Sequence, residues 1–383
     1  MVKHSEITLS SEELKQYQRQ IILPEIGIDG QEKLKKAKVL CVGAGGLGSP
    51  ILIYLTAAGV GTIGIIDGDK VDITNLPRQI LFSERDIGQK KVIAARKELL
   101  QLNKHLEIHI YDEVLEASNA EKILQNYDIV VDGSDNFSTK YLINDAALKR
   151  GIPNVYASIL GFEGRVTVFG DKAGPCYRCL YPEPPQHYIP NCAEFGILGA
   201  LAGIIGCVQS METIKWIINQ PPSPIAPFKP LIGKLWTIDG RTMAVNTIRI
   251  KKRKTCVICN KPKAAIFLHD LEKKCASETK QIPHISAIEG EKYLNRKDVV
   301  FLDVRELGEW QTGHVNNAVH LPLPQLLSDE RLIHKLDPTL TYLVYCQIGK
   351  RSAEGASHLL KLGFRKVLHL RGGLAEWKGE LTR

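Results

Sequence analysis

Apolar positions along the chain gather into short runs, and the sharpest pair brackets a glycine-rich turn. Residues 39–42 are continuously apolar, as expected of a strand buried on both faces. An apolar helical stretch starts near Leu47, and a second strand-like run ends at Asp67. Between strand and helix lies Gly43-Ala44-Gly45-Gly46-Leu47-Gly48, so the order reads as a βαβ unit. Helical periodicity returns at 89–102, with strands expected at 107–111 and 128–132. Beyond Pro153 the alternation gives way to consecutive strands at 154–158, 164–169, 235–239 and 244–250. Ser10 and Ser11 ahead of Glu12, Glu13 and Leu14 predict a helix start, with a hydroxyl capping the first N–H groups.

The apolar run at 195–208, with Gly199 and Gly203 four apart, is shorter than the roughly 20 residues of a membrane span. Gln209, Glu212 and Lys215 interrupt its continuation, so it reads as a buried helix whose small residues allow close packing. A second α/β pattern begins at Ile282. The polar, lysine-rich stretch 263–281 reads as a linker, which gives domains 1–262 and 282–383. The 383 residues are 44% hydrophobic and 24% charged, within the ordinary range for a globular protein. A formal charge of +8 without a basic-aromatic pattern favours an acidic protein partner and gives no reason to expect nucleic acid. The polar N-terminal stretch has no secretory character. Nine cysteines, an odd number with four in C-x-x-C pairs, suit metal and thiol chemistry in a reducing cytoplasm. The expectation is a cytoplasmic protein with no membrane segment.

The first chemistry is nucleotide binding. Gly43, Gly45, Gly46 and Gly48 let the backbone turn tightly and approach a phosphate, which the following helix N-terminus attracts. Asp67, at the tip of the second strand, is placed to accept both ribose hydroxyls. Alone, this fingerprint suits NAD or FAD. The residues after it point elsewhere: Asp69, Asn75, Arg78 and Gln79, then Lys91 after Gly88-Gln89-Lys90. A triphosphate held for in-line attack calls for cations, whereas hydride transfer does not. The stretch 128–132 ends in Gly133-Ser134-Asp135-Asn136. Asp135 either caps a helix beginning near Ser138 or holds Mg²⁺ at the carboxyl edge of the sheet, and the nucleotide site favours the metal. Asn136 is expected to bond the nucleotide nearby.

Together these motifs resemble the adenylating domain of the ubiquitin-activating superfamily, in its MoeB/ThiF (HesA) branch. That resemblance implies a Rossmann-like α/β domain that binds ATP with Mg²⁺. It also implies an N-terminal arm, here Arg19-Gln20-Ile21-Ile22-Leu23, whose Arg19 crosses to the ATP phosphates of a second subunit in a homodimer. The pairs Cys176/Cys179 and Cys256/Cys259 supply four thiolates for tetrahedral zinc, with redox activity the rival for either pair alone. Neither pair opens a helix after a thioredoxin-like strand, and the resemblance supports a structural zinc site. Cys192 closes a proline-rich loop (182–190) just ahead of a helix, a setting that lowers a thiol's pKa. It occupies the position of the family's transferring cysteine, which implies a covalent bond to an activated carboxylate. Cys41 and Cys207 sit in apolar runs and read as core, and Cys275 falls in the linker.

In the second domain a strand at 299–302 leads to Asp303-Val304-Arg305, with Gly313-His314 further on. A strand at 342–345 then ends in Cys346-Gln347-Ile348-Gly349-Lys350-Arg351-Ser352, with a helix at 353–362 behind it. A cysteine at a strand tip facing a helix N-terminus is set up as a nucleophile, and Lys350 and Arg351 add positive potential. Four residues separate Cys346 from Arg351, a smaller cradle than a tyrosine-phosphatase loop, and one suited to a sulfur atom. With Gly372-Gly373-Leu374 and Trp377, these motifs resemble a smaller α/β rhodanese domain. The whole chain resembles MoeZ-like adenylyltransferase/sulfurtransferases. What this implies is ATP-dependent adenylylation of a small β-grasp sulfur carrier ending in Gly-Gly. Sulfur from a Cys346 persulfide, charged by a donor such as a cysteine desulfurase or thiosulfate, then yields the carrier thiocarboxylate for molybdopterin or related synthesis. Two alternatives stay open: activation of a ubiquitin-like modifier for conjugation, and an NAD-dependent oxidoreductase with a sulfide-binding appendage.

Overall fold

The computed structural model describes residues 8–170, 174–184, 196–221, 228–271 and 282–382. They fall into two compact units, with the division beyond residue 271. The first unit is built on an eight-stranded sheet in the order β3-β2-β1-β4-β5-β6-β7-β8. Its strands are β1 (Lys38–Val42), β2 (Thr62–Ile66), β3 (Glu107–Tyr111), β4 (Ile129–Asp132), β5 (Asn154–Leu160), β6 (Glu163–Phe169), β7 (Lys234–Asp239) and β8 (Ala244–Arg249). β3 through β5 pair in parallel across the sheet, and β5 through β8 pair antiparallel. β1 lies between β2 and β4, where the chain's progression across the sheet reverses. Open α/β sheets bind ligands outside the carboxyl ends of the strands at such a point.

The continuous apolar run of β1 follows from burial on both faces. Val39 and Cys41 face a core completed by the helices Gly48–Ala58, Lys91–Leu102 and Gly199–Ile218. Leu40 and Val42 face a second core with Ala117–Leu124 and Phe137–Arg150. Cys41 is fully buried, and burial pushes its thiol far up, as a core role requires. At the N-terminal side Ser10 caps the helix Ser11–Gln16 in a capping box with Glu13. The helical path breaks at Tyr17, whose buried hydroxyl accepts from Asn103 Nδ2 at 2.7 Å. Arg19 follows, exposed, on the short helix Gln18–Ile21.

The helix Gly199–Ile218 runs through the polar residues expected to interrupt it. Gln209 and Glu212 are buried and bonded: Gln209 Nε2 donates to Asp132 O and Val155 O, each at 2.9 Å, and Glu212 accepts from Leu231 N and pairs with the partly buried Lys215. The helix is long and apolar enough to cross a membrane by composition. It is nevertheless a core helix, packed on Gly48–Ala58 and on the strands β5 and β6. Residues 263–271, expected as the start of the linker, pack on the first unit. Ile266 is buried, Leu268 lies against the second core, and Asp270 accepts from Ala117 N at 2.8 Å.

The second unit holds a five-stranded parallel sheet in the order β12-β10-β13-β14-β9. These strands are β9 (His284–Ser286), β10 (Val299–Asp303), β12 (Val319–His320), β13 (Thr341–Tyr345) and β14 (Val367–Arg371), while β11 (His314–Val315) pairs separately with β15 (Leu381–Thr382). The helix behind β13 starts at Lys350, three residues before its expected start, because Gly349 at φ 88° turns the chain directly into it.

The long core helix supplies a packing test. A Cβ on Gly206 would lie 2.4 Å from Pro50 Cγ, whereas one on Gly203 would meet nothing within 4 Å. Gly206→Ala should therefore lower stability by about 1–3 kcal/mol through overpacking, and Gly203→Ala should raise it by about 0.5–1 kcal/mol. Urea denaturation checks both; equal midpoints for the two variants would contradict this packing.

Candidate active site

The residues expected to bind a nucleotide converge at the carboxyl ends of β1, β2 and β4. Gly43 takes φ 93°, and a Cβ on Gly48 would lie 2.1 Å from Gly43 O, so the turn closes only with glycine there. A Cβ on Gly133 would stand 2.9 Å from the same oxygen, which brings the loops after β1 and β4 backbone to backbone. Asp67 braces the glycine loop: its Oδ2 accepts from Ala44 N at 2.8 Å and its Oδ1 from Asp69 N at 2.9 Å. Asp69 in turn pairs with Lys91 Nζ at 2.9 Å, and the Lys91 side chain is only 6% exposed.

Asn75 ends a short 3₁₀ turn, where its Oδ1 accepts from Asp72 N at 3.1 Å. Arg78 donates through Nη1 to Thr74 O at 2.9 Å, and its methylenes lie over Gly46. Gln79 is buried with Nε2 facing the Gly45 backbone, and its Oε1 has no hydrogen-bond partner among the described residues. A buried orphan acceptor beside glycines that leave room for a ligand fits a nucleotide with donors of its own.

Of the two readings of Asp135, the helix cap falls to its neighbour. Asn136 Oδ1 accepts from Thr139 N at 2.8 Å and begins Phe137–Arg150, which commits the oxygen expected to face the nucleotide. Asp135 is exposed and has no hydrogen bond or ion pair among the described residues. Magnesium takes one or two carboxylates plus substrate phosphates, and a single outward carboxylate beside this pocket fits that donor set. Sequence reasoning missed Asp132 and Lys140, a buried ion pair of 3.2 Å at the same edge. A signal was available: Lys140 shares its helix face with Ile143 and Ala147, both buried.

The four cysteines of the two C-x-x-C pairs lie within 4.8 Å of one another through their sulfur atoms. Cys176 Sγ is 3.7 Å from Cys179 and 3.6 Å from Cys256, and Cys179 is 3.5 Å from Cys259. Tetrahedral Zn–S bonds of about 2.3 Å place sulfurs about 3.8 Å apart, so the cluster fits zinc. Contacts between the pairs are as short as the contact within one, as in a four-thiolate cage and unlike two separate dithiols. Burial pushes the Cys176 thiol up and Cys259 to about 12. Burial acts on Cys256 too, but the N–H groups of Ile258 and Cys259 outweigh it and bring that thiol down to about 7. Arg253 N donates to Cys179 Sγ at 3.4 Å. Cys192 lies outside the described residues.

In the second unit Cys346 follows β13, fully buried, with its sulfur inside the turn of the next helix. Gly349 N points at Sγ from 3.1 Å and Ser352 N from 3.4 Å. The loop is braced from behind: a Cβ on Gly373 would lie 2.3 Å from Cys346 O, and Leu374 N donates to that oxygen at 2.9 Å. Gln347 and Ile348 are exposed, as is Lys350, while Ser352 Oγ donates to Gly349 O at 3.0 Å. Arg351 does not present its charge to the sulfur as expected. Its Nη1 and Nη2 each donate to a Glu309 oxygen at 2.7 Å, because a guanidinium this deeply buried requires a carboxylate. Sulfur is therefore faced by N–H groups more than by cations. Arg305, also buried, is bidentate to Asp303 and donates to Gly313 O at 2.8 Å, which ties together the two motifs that precede the cysteine.

With this geometry in view, sequence comparison defines the class. Residues 17–259 match the model of the ThiF family and residues 286–380 that of the rhodanese-like domain. The chain belongs to the ThiF family and carries a C-terminal rhodanese-like domain. It is 38% identical to the probable adenylyltransferase/sulfurtransferase MoeZ of Mycobacterium tuberculosis, over 97% of this chain and 95% of that protein. It is 37% identical to the adenylyltransferase and sulfurtransferase MOCS3 of Culex quinquefasciatus, over 96% and 88%. It is 36% identical to a probable molybdopterin-synthase adenylyltransferase of Porphyra purpurea, over 97% and 94%. Among solved structures, E. coli MccB bound to MccA-N7isoASN aligns with a TM-score of 0.58 at 22% identity, covering 67% of this chain and 77% of that one, a likeness of fold.

The Arg351–Glu309 pair makes a prediction about acid stability. Burial raises the Glu309 carboxyl, but Arg351 more than offsets this and holds it below its ordinary value. The stabilisation is present above the unfolded-state pKa and is lost as pH falls through the folded value. Glu309→Ala should cost a few kcal/mol, near the low end of the ~3–5 typical of a broken buried pair, since the carboxylate is 28% exposed. Urea midpoints of the second unit's transition between pH 3 and 7 check this; a pH dependence unchanged by the substitution would refute it.

Proposed function

We propose that this chain is an ATP-dependent adenylyltransferase and sulfurtransferase that converts the C-terminal Gly-Gly carboxylate of a small β-grasp sulfur carrier into a thiocarboxylate. The observation that carries this reading is the pairing, in one chain, of a glycine-loop pocket lined by Arg78 and Lys91 with a cysteine whose sulfur faces the N–H groups of Gly349 and Ser352. MoeZ and MOCS3, to which the chain is similar over nearly all its length, carry both activities in their names.

In this scheme the carrier carboxylate attacks the α-phosphorus of ATP, the bond to the β-phosphate oxygen breaks, and pyrophosphate leaves. The glycine loop and the helix N-terminus after it hold phosphates, and Asp67 takes the ribose. Gln79 and Asn75 line the pocket. Arg78 and Lys91 offset charge as it develops on the bridging oxygen. Lys91 becomes available by exchanging Asp69 for phosphate. Asp135 would hold Mg²⁺, which supplies further charge neutralisation when bound. Adenylylation matters because a carboxylate oxygen leaves poorly and AMP leaves well. Cys346 carries a sulfane sulfur taken from a desulfurase persulfide or from thiosulfate, which leave as thiol and sulfite. That sulfur displaces AMP from the acyl carbon to give an acyl disulfide. A second thiol then attacks Cys346 Sγ, the thiocarboxylate leaves, and an external dithiol reduces the disulfide that remains. Cys192 is the proposed covalent waypoint. The four-cysteine cluster holds structural zinc. Arg19, exposed and unpaired among the described residues, serves the phosphates of a second copy in a homodimer. Thiols with these duties require a reducing compartment, the cytoplasm.

ATP–pyrophosphate exchange is the direct test. Exchange should require a Gly-Gly-ending carrier, and comparing carriers assigns the pathway; nucleotide binding without exchange for any carrier would refute acyl-adenylation. Cys346→Ala should abolish sulfurtransfer by at least about a thousandfold while exchange stays within about twofold. Loss of both activities in a folded variant would overturn the two-site scheme.

A further inference from the structure

The sheet of the first unit splits between β4 and β5. Their parallel ladder has only the pairs Val130↔Asn154 and Val131↔Val155, while β5 pairs with β6 from Asn154 to Leu160 on its other edge. Carbonyls past the split need donors from elsewhere, and side chains of two helices supply them. Gln209 enters from one face, bonded to Asp132 O and Val155 O. Lys140 enters from the other. Its Nζ donates to Ser134 O at 2.9 Å, to Ala157 O at 2.9 Å and to Asp132 Oδ2 at 3.2 Å. An ammonium has three protons, and all three are used. Asp132 closes the arrangement: its Oδ1 accepts from Ser134 N at 3.0 Å and from Ser134 Oγ at 2.6 Å.

Ser134 is thus held through its N–H, its C=O and its hydroxyl. Asn136 is held by its cap on the next helix, and Gly133 sits against the Gly43 backbone. Asp135 is the one side chain between these anchors, and it points to solvent without a partner among the described residues. We infer that Lys140 is a positioning residue for adenylylation: it fixes the Ser134–Asp135 peptide so that the Asp135 carboxylate is aimed at the metal on the ATP phosphates. The inference rests on the proposed magnesium role of Asp135. A buried lysine with a buried aspartate is a poor source of stability compared with apolar packing of the same volume. It does something packing does not, which is to hold a loop carbonyl, a loop hydroxyl and a strand carbonyl on one point.

Magnesium dependence of ATP affinity distinguishes positioning from simple support of the fold. The quantity is the ratio of ATP dissociation constants without and with Mg²⁺, measured by calorimetry on the full chain. The charge-balanced double variant Lys140→Met/Asp132→Asn removes the tripod without leaving a bare buried charge. Its ratio should fall about tenfold, towards that of Asp135→Ala, while Mg²⁺-free affinity and zinc content stay at wild-type values. Lys140→Arg, which keeps a charge and several donors, should recover part of the loss. A folded double variant with an unchanged ratio overturns the proposal. Should that variant not fold, Lys140→Arg alone decides, since it keeps the charge beside Asp132 but cannot aim three bonds from one atom: a lowered ratio supports the proposal and a wild-type ratio overturns it. A wild-type ratio in Asp135→Ala would instead refute the magnesium reading, and the role of Lys140 with it.

Discussion

Backbone-to-backbone contact between the loops after β1 and β4 is the constraint on which the nucleotide pocket depends. Gly43 and Gly133 meet so closely that a single Cβ on Gly133 would overlap the Gly43 carbonyl. This contact needs β1 and β4 as parallel neighbours ending at the same level, as their register through Val42↔Asp132 provides. It also needs the crossover helix to start at once after the turn, which Gly48 permits. The glycine loop, the Asp67 carboxylate that braces it and the loop bearing Asp135 therefore form one rigid edge. Ligand-binding groups on such an edge lose little freedom on binding.

Buried ion pairs recur at the strand ends of both units. Asp132 ends β4 and pairs with Lys140 of the next helix, Asp303 and Arg305 pair at the end of β10, and Arg351 reaches Glu309 from the cysteine loop. Desolvation makes such pairs weak contributors to net stability. Their common feature is geometric. Each ties a loop to its surroundings by two or more bonds of fixed direction, where apolar contacts would leave the loop free to slide. In the second unit this leaves the cysteine sulfur facing N–H groups, while the loop's buried arginine is spent on structure.

Much of the organisation was legible in the chain itself. Continuous apolar runs marked strands buried on two faces, and glycine spacing marked the phosphate turn. The change of pattern after Pro153 marked the passage to antiparallel strands, and the two C-x-x-C pairs announced a cluster that folding brings within metal-ligand reach. The buried helix read from the run at 195–208 is present, but it continues to Ile218 because Gln209 and Glu212 break the apolar run without breaking the helix. Their partners, Asp132 O, Val155 O and Leu231 N, come from distant segments.

Local pattern by itself determined the elements, the nucleotide and thiol chemistries and the residue types that serve them, because periodicity, turn chemistry and motif spacing are properties of neighbours in sequence. Tertiary structure alone decided which charges are free to act. Arg351 looked available until Glu309, 42 residues away, claimed it, and Lys140, which no sequence motif singles out, finds three acceptors where β4 and β5 split. Asn136, not Asp135, caps the next helix, and Asp135 is exposed. A side chain's charge is written in the sequence; whether that charge is already neutralised depends on groups brought within about 3 Å by the fold, and sequence distance carries no record of that.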